Sequence, residues 1–193
     1  MNTTSIFVEL VIIGFQSLIW VGLFVLTIVG PQKMPIEKLL TLNMAVPALA
    51  AGYILGILID RLSDIAFIPA DHRLRKEHDL HDLPPFLTMR FYILHKSKDS
   101  YDQLEYTRSR LRIARAAFLN FILISIASML FVLIRMQQAF SAFQLLATSL
   151  FLGGMGLLLT WISYRAWAAL THTYIDSTVT AFKVVRGDVE SGK

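Results

Sequence analysis

The sequence predicts an all-α integral membrane protein with four transmembrane helices arranged as two hairpins. Three observations support this fold class. Of the 193 residues 55% are hydrophobic and only 17% are charged, four apolar stretches are long enough to cross a bilayer, and the basic residues gather in segments on one side of it. Soluble domains are roughly 45–50% apolar and about 25% charged. We therefore expect residues 1–193 to form a single four-span membrane domain.

The four apolar stretches follow from the length that a bilayer requires, which is about 20 residues per helix. They cover residues 6–29, 39–59, 116–134 and 140–162. The first stretch ends at the helix-breaking pair Gly30-Pro31, and Pro47 is expected to kink the second. No Lys or Arg precedes Lys33, so the first stretch is predicted to be a retained span and not a signal peptide.

The distribution of basic residues predicts the orientation. Fifteen of the 18 Lys and Arg residues fall in 60–115 and 164–193, and only Lys33, Lys38 and Arg135 fall on the other side. An excess of basic residues marks the cytoplasmic side. We therefore expect both termini in the cytoplasm, and we expect the bacterial inner membrane as the location.

Two cytoplasmic helical extensions are predicted. One is an insertion at 60–115 between spans two and three, and the other is a helix and tail at 164–193. Ser100 and Gln103 have the spacing of a capping box, which predicts one helix of about 35 residues through the third span. The apolar and basic segment 86–98 is expected to lie at the membrane interface or to pack against the helix bundle.

Arginines supply the first candidate site. Arg108, Arg112 and Arg115 form an i, i+4, i+7 stripe, and Arg165 follows the fourth span. We expect these four residues to bind lipid headgroups or a partner. A second interpretation of the stripe is a cationic site for a nucleotide, a phospholipid headgroup or an acidic partner.

Polar pairs are expected where the helices leave the bilayer. Asp60, Arg61 and Asp64 follow the second span. The simpler expectation is a local Arg61–Asp64 pair. The alternative is that the carboxylates bind a cation, or pair with the arginines of the helix that contains the third span. After the fourth span, His172 and Asp176 are expected to share a helix face. They are expected to pair with the cytoplasmic end of the helix that contains the third span.

Aromatic residues at the end of the fourth span predict an interfacial anchor. Trp161, Tyr164 and Trp167 lie at the boundary, where aromatic side chains are enriched in membrane proteins.

A histidine cluster is the weakest candidate site. His72, His78 and His81 lie among aspartates within 71–82, and such groups can bind zinc or manganese. Their spacing matches no metal motif, so a solvated charged helix is the default interpretation and no cofactor is expected.

Small residues predict close helix packing. Gly52 and Gly56 form a G-x-x-x-G pair, and Gly153, Gly154 and Gly156 form a flat patch. Two such faces in a four-helix protein favour a homo-oligomer. The spans contain no central charge, but they carry neutral polar residues that are candidates for helix packing or for a pore. These include Asn43, Asn120, Gln144 and Thr148.

The motifs of known enzymes are absent from the sequence. It has no cysteine, P-loop, hydrolase elbow or dinucleotide-binding motif. We therefore expect a non-enzymatic membrane component that senses membrane state, or that anchors or relays to a cytosolic protein partner, without direct nucleic-acid binding. The layout is similar to that of small four-span proteins of bacterial stress and phage-defence systems such as Kiwa. The alternatives are an oligomeric ion channel and a metal-dependent hydrolase using the 72–82 cluster.

Overall fold

The protein is all-α. A computed structural model describes residues 3–33, 42–78 and 83–191, and those residues contain helices and turns but no strand. The described residues form five α-helices, which are α1 (Thr3–Val29), α2 (Leu42–Glu77), α3 (Phe86–Lys96), α4 (Lys98–Arg135) and α5 (Ala142–Ser191). A short 3-10 turn, Pro31–Lys33, follows α1. The predicted fold class is confirmed at this level.

Four of the helices are long and apolar enough to cross a membrane. The qualifying segments are Ile6–Val29, Met44–Lys76, Lys98–Arg135 and Ala142–Gly187. With 11 residues, α3 is too short to cross. The prediction of a four-span integral membrane protein is therefore supported by the structure.

The helix ends follow from local chemistry, with two corrections. Gly30 adopts a left-handed φ of 91°, which ends α1 where the sequence predicts. The capping residue of α4 is Ser97, whose side chain accepts a hydrogen bond from the Ser100 amide at 3.4 Å; the predicted Ser100–Gln103 box does not form the cap. The capping box instead opens α5. There the Gln144 amide donates to the Ser141 hydroxyl, and the Ser141 amide donates to the Gln144 side chain at 2.9 Å.

Glycines bring α1 and α2 into backbone contact. A Cβ atom on Gly14 would lie 1.7 Å from the carbonyl oxygen of Gly52, and one on Gly56 would lie 1.9 Å from that of Leu10. Gly14 contacts Gly52, whereas the earlier residue Leu10 contacts the later residue Gly56, so the two helices run in opposite directions. The G-x-x-x-G pair therefore packs within one chain, against a glycine of α1 that the sequence interpretation did not single out.

The second glycine patch is only partly covered. A Cβ on Gly156 would meet the Ser125 side chain at 2.2 Å, and one on Gly153 would lie 3.3 Å from the sulfur of Met129. Gly154 has nothing within 4 Å among the described residues. Two of the three glycines thus hold α5 against α4, and the third faces outward.

Polar contacts hold α1 against α4. Asn120 is fully buried between them, where it accepts hydrogen bonds from Ser17 at 3.0 Å and Trp20 at 3.1 Å. It also donates to the Ile13 carbonyl and the Gln16 side chain, both at 3.3 Å. At the end of α4, Arg135 donates to the last carbonyls of α1, at 2.7 and 2.6 Å. The apolar halves therefore form a row in the order α2, α1, α4, α5, which we call the span region (3–33, 42–59 and 116–162).

A second core lies beyond the span region. The lower halves of α2, α4 and α5 and the whole of α3 share an apolar cluster, and we call these parts the distal module (60–78, 83–115 and 163–191). Its buried members are Phe67, Met89, Ile93, Leu104, Leu111, Trp167, Tyr174 and Phe182. Because Met89 and Ile93 of α3 are buried in this cluster, the segment packs against the bundle, which is one of the two placements that its sequence allowed.

Trp167 does not belong to the predicted interfacial anchor. Its side chain is completely buried, and its ring lies edge-on to Phe67 with 4.5 Å between the centroids. Trp161 and Tyr164 remain exposed. Since Trp167 follows Trp161 by six residues on one helix, it points to a different face and fills the core of the distal module.

Candidate functional site

Arginines from three helices, α2, α3 and α4, meet in one cavity at the junction of the span region and the distal module. The cavity has a volume of about 380 Å³. Six arginines and three aspartates line it: Arg61, Arg75, Arg90, Arg108, Arg112, Arg115, Asp60, Asp64 and Asp71. The predicted stripe of Arg108, Arg112 and Arg115 therefore lines one wall. We call this site the arginine cavity.

Arg112 joins three helices. Its Nε and Nη2 atoms donate to the two carboxylate oxygens of Asp60, at 3.2 and 2.7 Å, and its Nη1 donates to Glu9 at 3.3 Å. Glu9 and Asp60 are 3% and 6% exposed. Removing one partner of a buried ion pair leaves an uncompensated charge, so this triad ties α1, α2 and α4 together.

Arg115 forms the neighbouring pair, with Asp64. The structure therefore contains the alternative pairing of the α2 carboxylates with the arginines of the third span, and the local Arg61–Asp64 pair does not form. Arg61 is exposed, and no ion pair joins it to a described residue. Asp60 and Asp64 are one turn apart on α2, as Arg112 and Arg115 are on α4, so each pair of like charges shares one helix face.

Arg90 and Glu105 were missed by the sequence interpretation. The two side chains form a buried ion pair between α3 and α4, and Arg108 approaches the same carboxylate at 3.7 Å. Burial lowers the pKa of the Arg90 guanidinium, but the nearby Tyr174 and Glu105 raise it by more. The net pKa lies above the ordinary arginine value, so Arg90 remains charged. The pair joins residues 15 apart, and no local sequence signal marks it.

Arg75, near the end of α2, also lines the arginine cavity. Its Nε donates to Asp71 at 2.8 Å, and its guanidinium lies 5.2 Å from the centroid of the Phe86 ring. Arg165, predicted to act with the α4 stripe, is not among the lining residues. It is exposed, with its guanidinium 5.9 Å from the Trp161 ring.

His172 and Asp176 contact α2 and not the arginine stripe of α4. The Nε2 atom of His78 lies 3.4 Å from an oxygen of Asp176, and the rings of His78 and His172 have centroids 5.1 Å apart. Of the other predicted metal candidates, His72 is exposed and His81 lies outside the described residues. In the described part of the chain, no three His, Asp, Glu or Cys side chains form a group that could hold a metal ion.

Two of the four candidate pore residues have other roles. Asn120 is buried between α1 and α4, and Gln144 caps α5. Asn120 is therefore enclosed within one chain, whereas Gln144 is exposed. The side chain of Asn43 is outside the described set, and Thr148 is half-buried.

A groove runs between α4 and α5 on another face of the distal module. It encloses about 880 Å³. Asp99, Asp102 and Asp176 line it, together with small polar residues and the exposed Tyr106 and Val184, and no described Lys or Arg belongs to its lining. We call it the acidic groove. Its charge is opposite to that of the arginine cavity.

No protein-family model, no curated protein and no solved structure matches this chain. Its function must therefore be argued from its own residues.

Proposed function

We propose that this protein is a non-enzymatic, homo-oligomeric component of the bacterial inner membrane that relays the state of the bilayer to a cytosolic protein partner. Two hairpins, α1–α2 and α4–α5, cross the membrane, and the distal module with both termini lies in the cytoplasm. One observation carries this proposal. α2, α4 and α5 pass without a break from the span region into the distal module, so a change in one region is mechanically connected to the other.

The charges support the cytoplasmic placement. The distal module and the last residues of the chain carry fifteen of the 18 Lys and Arg residues. Arg135, at the opposite end of α4, binds the last carbonyls of α1. Positive residues accumulate on the cytoplasmic side of membrane proteins, so the distal module is the side expected in the cytoplasm.

The row of helices supports the homo-oligomer. In the described residues α5 packs in the span region against α4 alone and exposes a broad apolar face, which includes Phe143, Leu146, Leu150 and Leu157. Gly154 has no side chain, and no described residue lies within 4 Å of where its Cβ would be, so another helix could approach α5 closely there. In lipid, small residues and close packing drive helix association. We expect chemical crosslinking in native membranes, and native mass spectrometry of the purified protein, to give one discrete oligomer.

The acidic groove supports a basic partner segment. Helices commonly lie in grooves of this kind, and complementary charge increases the rate and specificity of association. Three aspartates at the groove, with Tyr106 and Val184 as apolar contacts, fit a basic amphipathic helix.

Site-specific photo-crosslinking in the native host tests the partner. A photoreactive residue replaces Thr180, which is exposed in the acidic groove, or Thr173, an exposed threonine of α5 outside it. We expect Thr180 to give an adduct of one defined mass with a cytosolic protein, and Thr173 to give none. Equal adducts at both positions, or none at Thr180, would contradict the docking site.

A further inference from the structure

The arginine cavity has more hydrogen-bond donors than its own carboxylates accept. Asp60 is bound through both oxygens by Arg112, Asp64 by Arg115, and Asp71 by Arg75. These carboxylates are occupied, so they leave little capacity for a bound cation.

The unpaired groups around the cavity are mostly N–H donors. The Nε atoms of Arg90 and Arg115 are buried without a hydrogen-bond partner among the described residues, and on the acceptor side so is Oε2 of Glu105. Arg61 forms no ion pair there, and Arg108 reaches Glu105 only at 3.7 Å. An arginine carries five N–H donors and no acceptor, so the six lining guanidinium groups have more donors than the neighbouring carboxylates can accept.

The charge balance of the arginine cavity also favours an anionic ligand. With Glu9 and Glu105 included, five carboxylates face the six arginines. Among the described residues, the cavity thus keeps a positive excess after these five carboxylates are counted. A ligand made only of acceptors and carrying negative charge would balance the excess charge and accept hydrogen bonds from lining guanidinium groups such as those of Arg61 and Arg108.

We infer that the arginine cavity binds a phosphate monoester group. Phosphate oxygens are acceptors, and guanidinium groups bind them in a two-pronged geometry. The volume of about 380 Å³ lies within the usual range for small-ligand pockets, roughly 300–1,000 Å³. At the membrane level proposed above, the phosphate has two sources, a lipid headgroup from the bilayer or a soluble phosphate from the cytoplasm. Because the cavity lies within one chain, a failure to find a protein partner would leave this inference unaffected.

The test uses the full-length purified protein and two probes. Native mass spectrometry measures binding of phosphatidic acid, with oleate as an anionic amphiphile that lacks phosphate. Calorimetry measures binding of inorganic phosphate to the protein in phosphatidylcholine nanodiscs. Binding in the lipid arm alone identifies a headgroup, and binding in the phosphate arm alone identifies a soluble ligand. Either result supports the site.

The variant is chosen to leave every carboxylate paired. Arg61→Gln with Arg108→Gln removes two charges from the lining, while Glu105 keeps Arg90 as its partner. The control, Arg110→Gln with Lys183→Gln, removes two exposed cationic side chains that do not line the cavity. We expect the cavity variant to bind about tenfold more weakly, the loss of roughly one charge-assisted hydrogen bond. We expect the control to change less than about twofold, because exposed charges are screened.

Three results would overturn the inference. The first is no binding in either arm, and the second is oleate binding as tightly as phosphatidic acid. The third is an equal loss in the control, which would assign the effect to surface charge in general. Thermal unfolding of both double variants verifies that they remain folded.

Discussion

The span region and the distal module are built from the same helices but held together by different interactions. In the span region, Gly14, Gly52 and Gly56 let backbones touch, and Asn120 makes four hydrogen bonds between α1 and α4. In the distal module, aromatic and aliphatic side chains fill a core around Trp167. Lipid tails are as apolar as leucine, so burial in the bilayer gains little, whereas burial from water is favourable. In the proposed placement, with the span region in lipid and the distal module in the cytoplasm, the packing chemistry therefore changes where the solvent changes.

The largest effect is expected in the distal core. Trp167→Ala removes a fully buried ring, and we expect it to cost about 3–5 kcal/mol of stability through lost transfer energy and a cavity. Hydrogen exchange in nanodiscs should show faster exchange in 98–115 and 163–187 while 6–29 stays protected. Trp161→Ala, an exposed control, should change stability by less than about 0.5 kcal/mol. Equal loss of protection in α1 would show that the two regions unfold as one.

A smaller effect is expected where α1 and α2 touch. The Cβ of Gly56→Ala would collide with the Leu10 carbonyl and force the helices apart, at a cost of about 1–3 kcal/mol. Denaturant unfolding in bicelles measures this change. Gly22→Ala is the matched control, since nothing lies within 4 Å of a Cβ there. It should be neutral or stabilising, by up to about 1 kcal/mol. A neutral Gly56→Ala would refute the backbone contact.

The smallest effect concerns the hydrogen bonds of Asn120. Asn120→Ala should cost about 0.6–1.7 kcal/mol, since polar contacts between membrane helices are individually weak. The same unfolding assay applies, with Gln137→Ala as the control because that amide is exposed and donates only to the Leu133 carbonyl, four residues earlier in the chain. A loss larger than that of Gly56→Ala would mean that hydrogen bonds, and not backbone contact, dominate the span region.

Local patterns predicted the helices well. Hydropathy is a property of contiguous residues, so the four spans and the continuation of the third into a long helix follow from the sequence alone. The helix is 38 residues long, from Lys98 to Arg135, close to the predicted length. The start of α4 was misplaced because Ser97 and Ser100 are both acceptable caps and only the fold selects between them.

The candidate site was predicted only in part. The spacing of Arg108, Arg112 and Arg115 placed them on one face, but Asp60 lies 52 residues from Arg112 and Glu9 lies 103 away. Pairing over such separations depends on how helices pack, which periodicity does not encode. Arg90 lies at the site because α3 packs into the distal module through its buried residues Met89 and Ile93. Sequence alone left that placement open.

The length of α5 has a mechanical consequence. Its 50 residues extend for about 75 Å without a break. Trp167, Tyr174 and Phe182 of this helix are buried in the distal core, so a tilt of α5 would carry the distal module with it. A tilt of about 10° about Gly156, within the range that helices adopt to match bilayer thickness, would displace the far end by about 9 Å. In the proposed function, a change in bilayer thickness would thereby move the surface on which the partner docks.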